Sequence, residues 1–160
     1  MRYSAVANSV RTATSEAERV VRPFEGLCLK PYICSAGVPT IGFGATYYLD
    51  GKRVTLNDPP ITTEKAEQLL RYHLAKYELG VKKLLPGVTL TPYELGAAIS
   101  FCFNLGLGAF RSSTLRKRIL SGDFDDVPNQ LLRWVYAGGK KSRGLARRRK
   151  AEGLLWQDLL

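Results

Sequence analysis

The chain has 160 residues, 45% of them hydrophobic, and a formal net charge of +10, which bounds it to one domain with a sizeable core, divisible into two lobes around one cleft. No run of about 18 apolar residues is present, so no segment is built to span a membrane, and the N-terminus lacks the apolar stretch of a cleavable secretory signal. The excess of 24 Lys and Arg over 14 Asp and Glu draws the protein toward polyanions, among which nucleic acid, anionic lipid and bacterial cell wall all qualify.

Val6, Val10, Ala13, Ala17, Val20 and Val21 recur every three or four residues and predict a helix over 4–22, which Pro23 should end or kink. Glu25 follows, beside an apolar run and ahead of a polar, glycine-rich hairpin. A cleft between such a helix end and such a hairpin would hold a carboxyl group partly out of water, suited to acid catalysis. Turn and short-strand signals then fill 37–61. Within them Asp50-Gly51 lies between alternating apolar residues, the pair a tight hairpin prefers because both positions accept positive φ.

Thr62 or Thr63 can cap a long helix reaching Leu85, with Ala66, Leu69, Leu70, Leu74, Tyr77, Val81 and Leu84 on one face. His73 falls inside this pattern and reads as a packed helix residue. Thr91, Pro92 and Glu94 supply an N-cap, a first-turn proline and the reciprocal acid of a capping box for the next helix, which should end between Asn104 and Gly108. Shorter helices are predicted over 113–120 and 125–136, and a last one over 142–156. The basic block Lys140 to Lys150, KKSRGLARRRK, runs into the apolar pattern of Ala151, Leu154 and Leu155 and reads as a solvated helix face. The three cysteines, Cys28, Cys34 and Cys102, form neither a disulfide framework nor a zinc-ligand spacing, so neither a metal site nor a cofactor is expected.

One segment carries more information than the rest: FEGLCLKPYICSAGVPTIGFGAT, from Phe24 to Thr46. Glu25, Gly26, Leu29, Tyr32, Cys34, Thr40, Ile41, Gly42 and Gly44 resemble, in order, the catalytic motif of the phage lysozymes (endolysins) of glycoside hydrolase family 24. Downstream, FNLG at Phe103 to Gly106, STL at Ser113 to Leu115, the spaced Trp134 to Gly139 and GLARRRKAE at Gly144 to Glu152 resemble the helical lobe of that family. The likeness spans about residues 17–157. It implies an α+β, lysozyme-like fold in which a small N-terminal sheet lobe and a larger helical lobe are joined by a long helix. The expected division of this single domain, 1–160, is an arm at 1–16, a catalytic lobe at 17–62, the linking helix at 63–85 and the helical lobe at 86–160.

The resemblance implies a muramidase that hydrolyses the β-1,4 bond between N-acetylmuramic acid and N-acetylglucosamine with net inversion, leading to lysis of a bacterial host. Glu25 would be the general acid, approached by Arg147 or Arg148 of the final helix. Thr40 matches the threonine that orients the attacking water. Cys34 stands where many members carry aspartate, and to help water attack its thiol should be shifted toward the thiolate, for which nearby basic residues are the expected cause. Ala45 replaces a histidine common in the glycine turn. Phe103 and Asn104 are expected to bind substrate, Asn104 through its amide, with a helix C-cap as that residue's alternative role. Cys28 either packs as a small apolar group or pairs with Cys34 as a redox switch.

The expected partner is bacterial peptidoglycan, met by a monomer without nucleic acid. The product is expected to stay in the host cytoplasm until released to the periplasm. Two rivals stay open at this point: a lytic transglycosylase, which needs one glutamate and closes the sugar on its own hydroxyl, and a non-catalytic cationic module that binds wall or nucleic acid.

Overall fold

The protein is described by a computed structural model over residues 10–160. In chain order it contains α1 (Ala13–Glu25), the hairpin strands β1 (Cys28–Ile33) and β2 (Pro39–Gly42), and the long α2 (Thr63–Leu84). Then come α3 (Pro92–Leu105), α4 (Leu107–Arg111), α5 (Thr114–Leu120), a 3-10 turn at Phe124–Asp126, α6 (Val127–Leu131), a second small hairpin of β3 (Tyr136–Ala137) and β4 (Lys140–Lys141), and α7 (Arg143–Trp156). This is the α+β arrangement implied by the sequence: a small antiparallel sheet region, a long helix, and a helical body.

The body is built around α3. Its residues from Leu95 to Cys102 are all buried, and it packs against α1, α2 and α7. Close approach to α1 requires Gly96, since a Cβ there would lie 2.8 Å from Glu16 Cβ and 3.0 Å from the Ala13 carbonyl oxygen. A separate small cluster of Ile41, Ala45, Val54 and Leu69 fastens the sheet region to α2. Through these contacts α1, although adjacent to the sheet in sequence, is held by the helical body. Its last residue, Glu25, is thereby delivered to the boundary between the two.

Helix caps fall where the sequence places them. Thr62 receives the Lys65 N–H, and Thr91 and Glu94 complete their reciprocal capping box. The predicted helix over 4–22 is corrected. Val6 lies outside the described residues, Val10 is exposed and non-helical, and among the described residues helix begins only after Thr12, which makes a capping box with Ser15. Pro23 does not end the helix at its own position, because in a last turn the missing N–H interrupts little. The chain continues to Glu25 and breaks at Gly26, whose φ is +68° and whose N–H bonds the Arg22 carbonyl.

Smaller departures have local causes. Asp50 does not take positive φ. Only Gly51 does, while the Asp50 carboxylate accepts the Lys52 N–H, and the turn closes on the single bridge Tyr47–Arg53. The helix predicted over 125–136 stops at Leu131, and Trp134 instead packs its ring edge-on to Phe101 at 5.4 Å. The pair Gly138-Gly139, both at positive φ, makes the tight hairpin β3–β4, in the gap that the predicted helices over 125–136 and 142–156 left without structure.

Candidate active site

A cleft of about 320 Å³ opens between the end of α1, the β1–β2 hairpin, α2 and the last turn of α3. It brings together all five residues singled out from the sequence: Glu25, Cys34, Thr40, Phe103 and Asn104. Tyr32, Gly44, Tyr47, His73 and Tyr77 complete much of its wall.

The Glu25 side chain is 23% exposed, and its Oε1 accepts a 2.7 Å hydrogen bond from Nη1 of Arg148. Of the two arginines considered for this contact, the helix phase selects Arg148. Arg147 lies on the exposed side of α7, and Arg148 is buried. A guanidinium of the final helix thus faces the carboxyl group, as the resemblance implied for Arg147 or Arg148. Gly44 sits on the side of the other oxygen. It has φ +84°, and a Cβ there would stand 3.1 Å from Glu25 Oε2, so a side chain at this position would crowd the carboxyl group as well as strain the backbone.

The hairpin wall is shaped by short-range bonds. The Cys34 N–H donates to the Val38 carbonyl at 3.1 Å, the Gly37 N–H donates back to the Cys34 carbonyl, and Thr40 Oγ1 donates to the Val38 carbonyl at 2.8 Å. Thr40 is buried at the base of the cleft. The Cys34 thiol is held below its ordinary pKa by hydrogen bonds from the Val38 backbone, then the Thr40 side chain and the Ala36 backbone. The direction agrees with the sequence expectation, but the cause is corrected: backbone and hydroxyl donors, not basic residues, favour the thiolate. The Thr40 hydroxyl has one proton, so it serves the Val38 carbonyl or the Cys34 sulfur at any moment, not both.

The idea that Cys28 and Cys34 pair meets a geometric obstacle. They bracket β1, and a strand rises about 3.3 Å per residue, which separates them by far more than the ~7 Å Cα limit of a disulfide. All three cysteines are free, and the Cys28 thiol donates to the Lys30 carbonyl.

Asn104 is not a C-cap, since that position is Gly106. Its Oδ1 accepts a 2.7 Å bond from Nη2 of the buried Arg149, which leaves the Nδ2 donor for the cleft. Phe103 meets Tyr77 edge to face at 5.6 Å. His73, the sole histidine, packs as expected, edge-on to Tyr47, and its Nε2 lies 3.1 Å from the Tyr47 carbonyl oxygen. Burial pushes its pKa down, which keeps the ring neutral near pH 7. Ala45, in place of a larger side chain, lines the cleft with it.

The phage lysozyme family profile matches residues 22–152. The chain belongs to the phage lysozyme family. It is 38% identical over 139 residues to the endolysin of Bacillus phage B103, a match covering 86% of this chain and 51% of that protein, so the chain spans about half the length of that relative. Among solved structures, the endolysin of Escherichia coli O157:H7 phage FAHEc1 superposes with a TM-score of 0.80 at 35% identity, covering 91% of this chain and 92% of that one. The muramidase domain of SpmX from Asticaccaulis excentricus gives 0.74 at 27% identity, with 89% and 94% covered. As a phage lysozyme the chain is a glycoside hydrolase by family, and its cleft lies at the matched segment.

Sequence reading missed the inner shell of this cleft. Tyr47 and Tyr77 belonged to a turn and to an apolar stripe. Arg149 was part of a charged run read as solvated, and Arg148, named with Arg147 as a neighbour of Glu25, was otherwise read the same way, yet both are buried. The signal that could have exposed them is phase: in α7 they share a face with Glu152, Leu155 and Trp156 rather than with Arg147 and Lys150.

Proposed function

We propose that this phage lysozyme is a muramidase that hydrolyses the β-1,4 bond between N-acetylmuramic acid and N-acetylglucosamine in peptidoglycan, with inversion at the anomeric carbon. The observation that carries the reading is the convergence of Glu25, Cys34 and Thr40 on one cleft.

Glycosidic cleavage passes through an oxocarbenium-like state, so a proton must reach the leaving oxygen as water attacks the anomeric carbon. Glu25 gives that proton from Oε2, the oxygen not taken by Arg148. When the proton has left, the Arg148 guanidinium, already 2.7 Å from Oε1, stabilises the carboxylate. Across the cleft, Thr40 has its own proton on the Val38 carbonyl and offers lone pairs to an O–H of the attacking water. The Cys34 sulfur, with its thiolate favoured by backbone donors, receives the proton that water sheds. The sum is one water consumed, one proton passed from Glu25 to the leaving group and one collected by Cys34.

Phe103 gives a sugar an apolar face, and Asn104 gives an acetamido or peptide carbonyl a hydrogen-bond donor. The net charge of +10 draws the protein, acting as a monomer, to an anionic wall, and the sugar-sized cleft, not the charge, favours wall over nucleic acid. The place of action in this reading is the periplasmic peptidoglycan, reached after synthesis in the host cytoplasm. Mass spectrometry of digested wall tests the chemistry. Reducing muramic ends that take up oxygen from labelled water are expected. Anhydro-muramic ends would hand the site to a lytic transglycosylase, and an undigested wall would remove catalysis.

A further inference from the structure

We propose that Glu152, a carboxylate with no surface in the cleft, is a positioning residue for both the acid and the substrate-binding amide, acting on Glu25 through Arg148 and on Asn104 through Arg149. The proposal rests on the muramidase reading above.

The geometry is a fork. Glu152 lies on α7 four residues after Arg148 and three after Arg149, the spacings that stack side chains on one helix face. It is wholly buried, as is Arg149, and the Arg148 side chain is only 4% exposed. Glu152 Oε1 lies 2.7 Å from Arg149 Nε, and its Oε2 accepts from Arg149 Nη2 at 3.2 Å and from Ser100 Oγ at 2.6 Å. Arg148 Nε stands 3.7 Å from the same Oε2. From this cluster Arg148 reaches Glu25 through Nη1, and Arg149 reaches Asn104 through Nη2, the same nitrogen that donates to Glu152, each at 2.7 Å. Arg148 Nη2 also donates to the Ser100 carbonyl at 3.4 Å, which ties the fork to α3.

Stability alone does not account for such an arrangement. Burying these ions carries a desolvation cost that well-packed apolar side chains of similar volume would avoid. Arg148 Nε and Arg149 Nε and Nη1 are buried without an aligned hydrogen-bond acceptor, a further cost. A planar guanidinium held by a carboxylate, however, has its remaining N–H bonds fixed in direction. Arginine only donates, so Arg149 also decides which end of the Asn104 amide it engages: Oδ1 inward, Nδ2 to the cleft. The same carboxylate thus sets the direction of the Glu25 carboxyl group and the hydrogen-bonding sense of Asn104, on two different helices. Removing its charge leaves two buried arginines facing each other with only Glu25 to share.

The test is a cycle of Glu152→Gln with Asn104→Ala, read as kcat and KM on soluble peptidoglycan fragments. Glutamine keeps the shape and the acceptor for Ser100 but not the charge. The expected result is a folded Glu152→Gln protein with KM raised and kcat lowered, about tenfold each. In the Asn104→Ala background the KM effect should largely vanish while the kcat effect through Glu25 persists. Wild-type constants, or a KM effect that simply multiplies with that of Asn104→Ala, would overturn the proposal. Should Glu152→Gln not fold, Ser100→Ala, which removes only the hydroxyl donor to Oε2, should show the same coupling at a few-fold size, and additivity there would be equally fatal. A readout without substrate separates this idea from the muramidase reading: the Asn104 side-chain amide signals in nitrogen NMR should move in the Glu152 or Ser100 variant. An unmoved signal sinks the positioning role even if the wild type cleaves wall, and a moved one upholds it even if wild type proves inactive on wall.

Discussion

On the hairpin side of the cleft, the hydrogen bonds that shape the turn between Cys34 and Thr40 join residues four or fewer positions apart. On the helical side, the contacts that place Glu25 and Asn104 join residues 123 and 45 positions apart. The first wall is made by its own backbone and a few glycines, so its geometry forms wherever that segment forms. The second exists only when α1, α3 and α7 have all docked. A hydrolase needs both walls in register, and the charge-bearing partners are concentrated on the one that depends on tertiary packing.

The sharpest way to break this contrast is to remove the helical wall's proton. Glu25→Gln should lower wall clearing by about 10²- to 10⁴-fold, the usual worth of a positioned acid, while melting changes little because glutamine retains an oxygen for Arg148. Near wild-type clearing in a turbidity assay would dismiss Glu25 as the acid.

Next in size is the hairpin wall's sulfur. Cys34→Ser should lose about 10²-fold, whereas Cys34→Asp should stay within roughly tenfold of wild type, because a carboxylate can also collect the water's proton. Equal rates in all three proteins would remove position 34 from the mechanism and leave the hairpin as a passive wall.

Asn104→Ala should cost about tenfold, concentrated in KM, since it deletes a donor to bound substrate and not a group that moves protons. A loss confined to kcat would reassign it to the reacting centre.

The smallest effect concerns the thiol's titration. Hydrogen bonds lower the Cys34 pKa only while the hairpin is folded, so the thiolate persists to lower pH in the native protein than in urea. Alkylation of Cys34 by iodoacetamide, followed by peptide mass spectrometry, should therefore keep its rate to lower pH in the native state. The linked stability is present above the ordinary thiol pKa and fades as pH falls through the lower native value. Coincident native and unfolded profiles would show that the backbone donors do not act on the sulfur.

Legibility followed the same divide. Thr62, Thr91 and Glu94 announced their helices because a cap is decided within one turn of chain. Thr12 was hidden by an apolar stripe that ran on into residues preceding the helix. Val10 continued the three-to-four spacing, and periodicity alone does not distinguish a helix from its approach. The Glu25 to Gly44 order was readable as a site because its residues are close in sequence. Arg149 was not, and Arg148 could not be told from Arg147, since a run of basic residues looks solvated until the phase of α7 against α3 is known. Tyr47, His73 and Tyr77 likewise needed the hairpin folded over α2 before they became cleft wall.

By itself, then, the sequence determined the family, the carboxylate proposed as acid, the turn across the cleft from it and most helix boundaries, all set by short stretches whose conformational preferences are local. Tertiary structure alone decided which arginine meets Glu25, which way the Asn104 amide turns and why three charged side chains lie buried behind them. Those outcomes depend on where distant helices come to rest, and only the docking of α7 onto α3 and α1 brings their side chains within 3 Å.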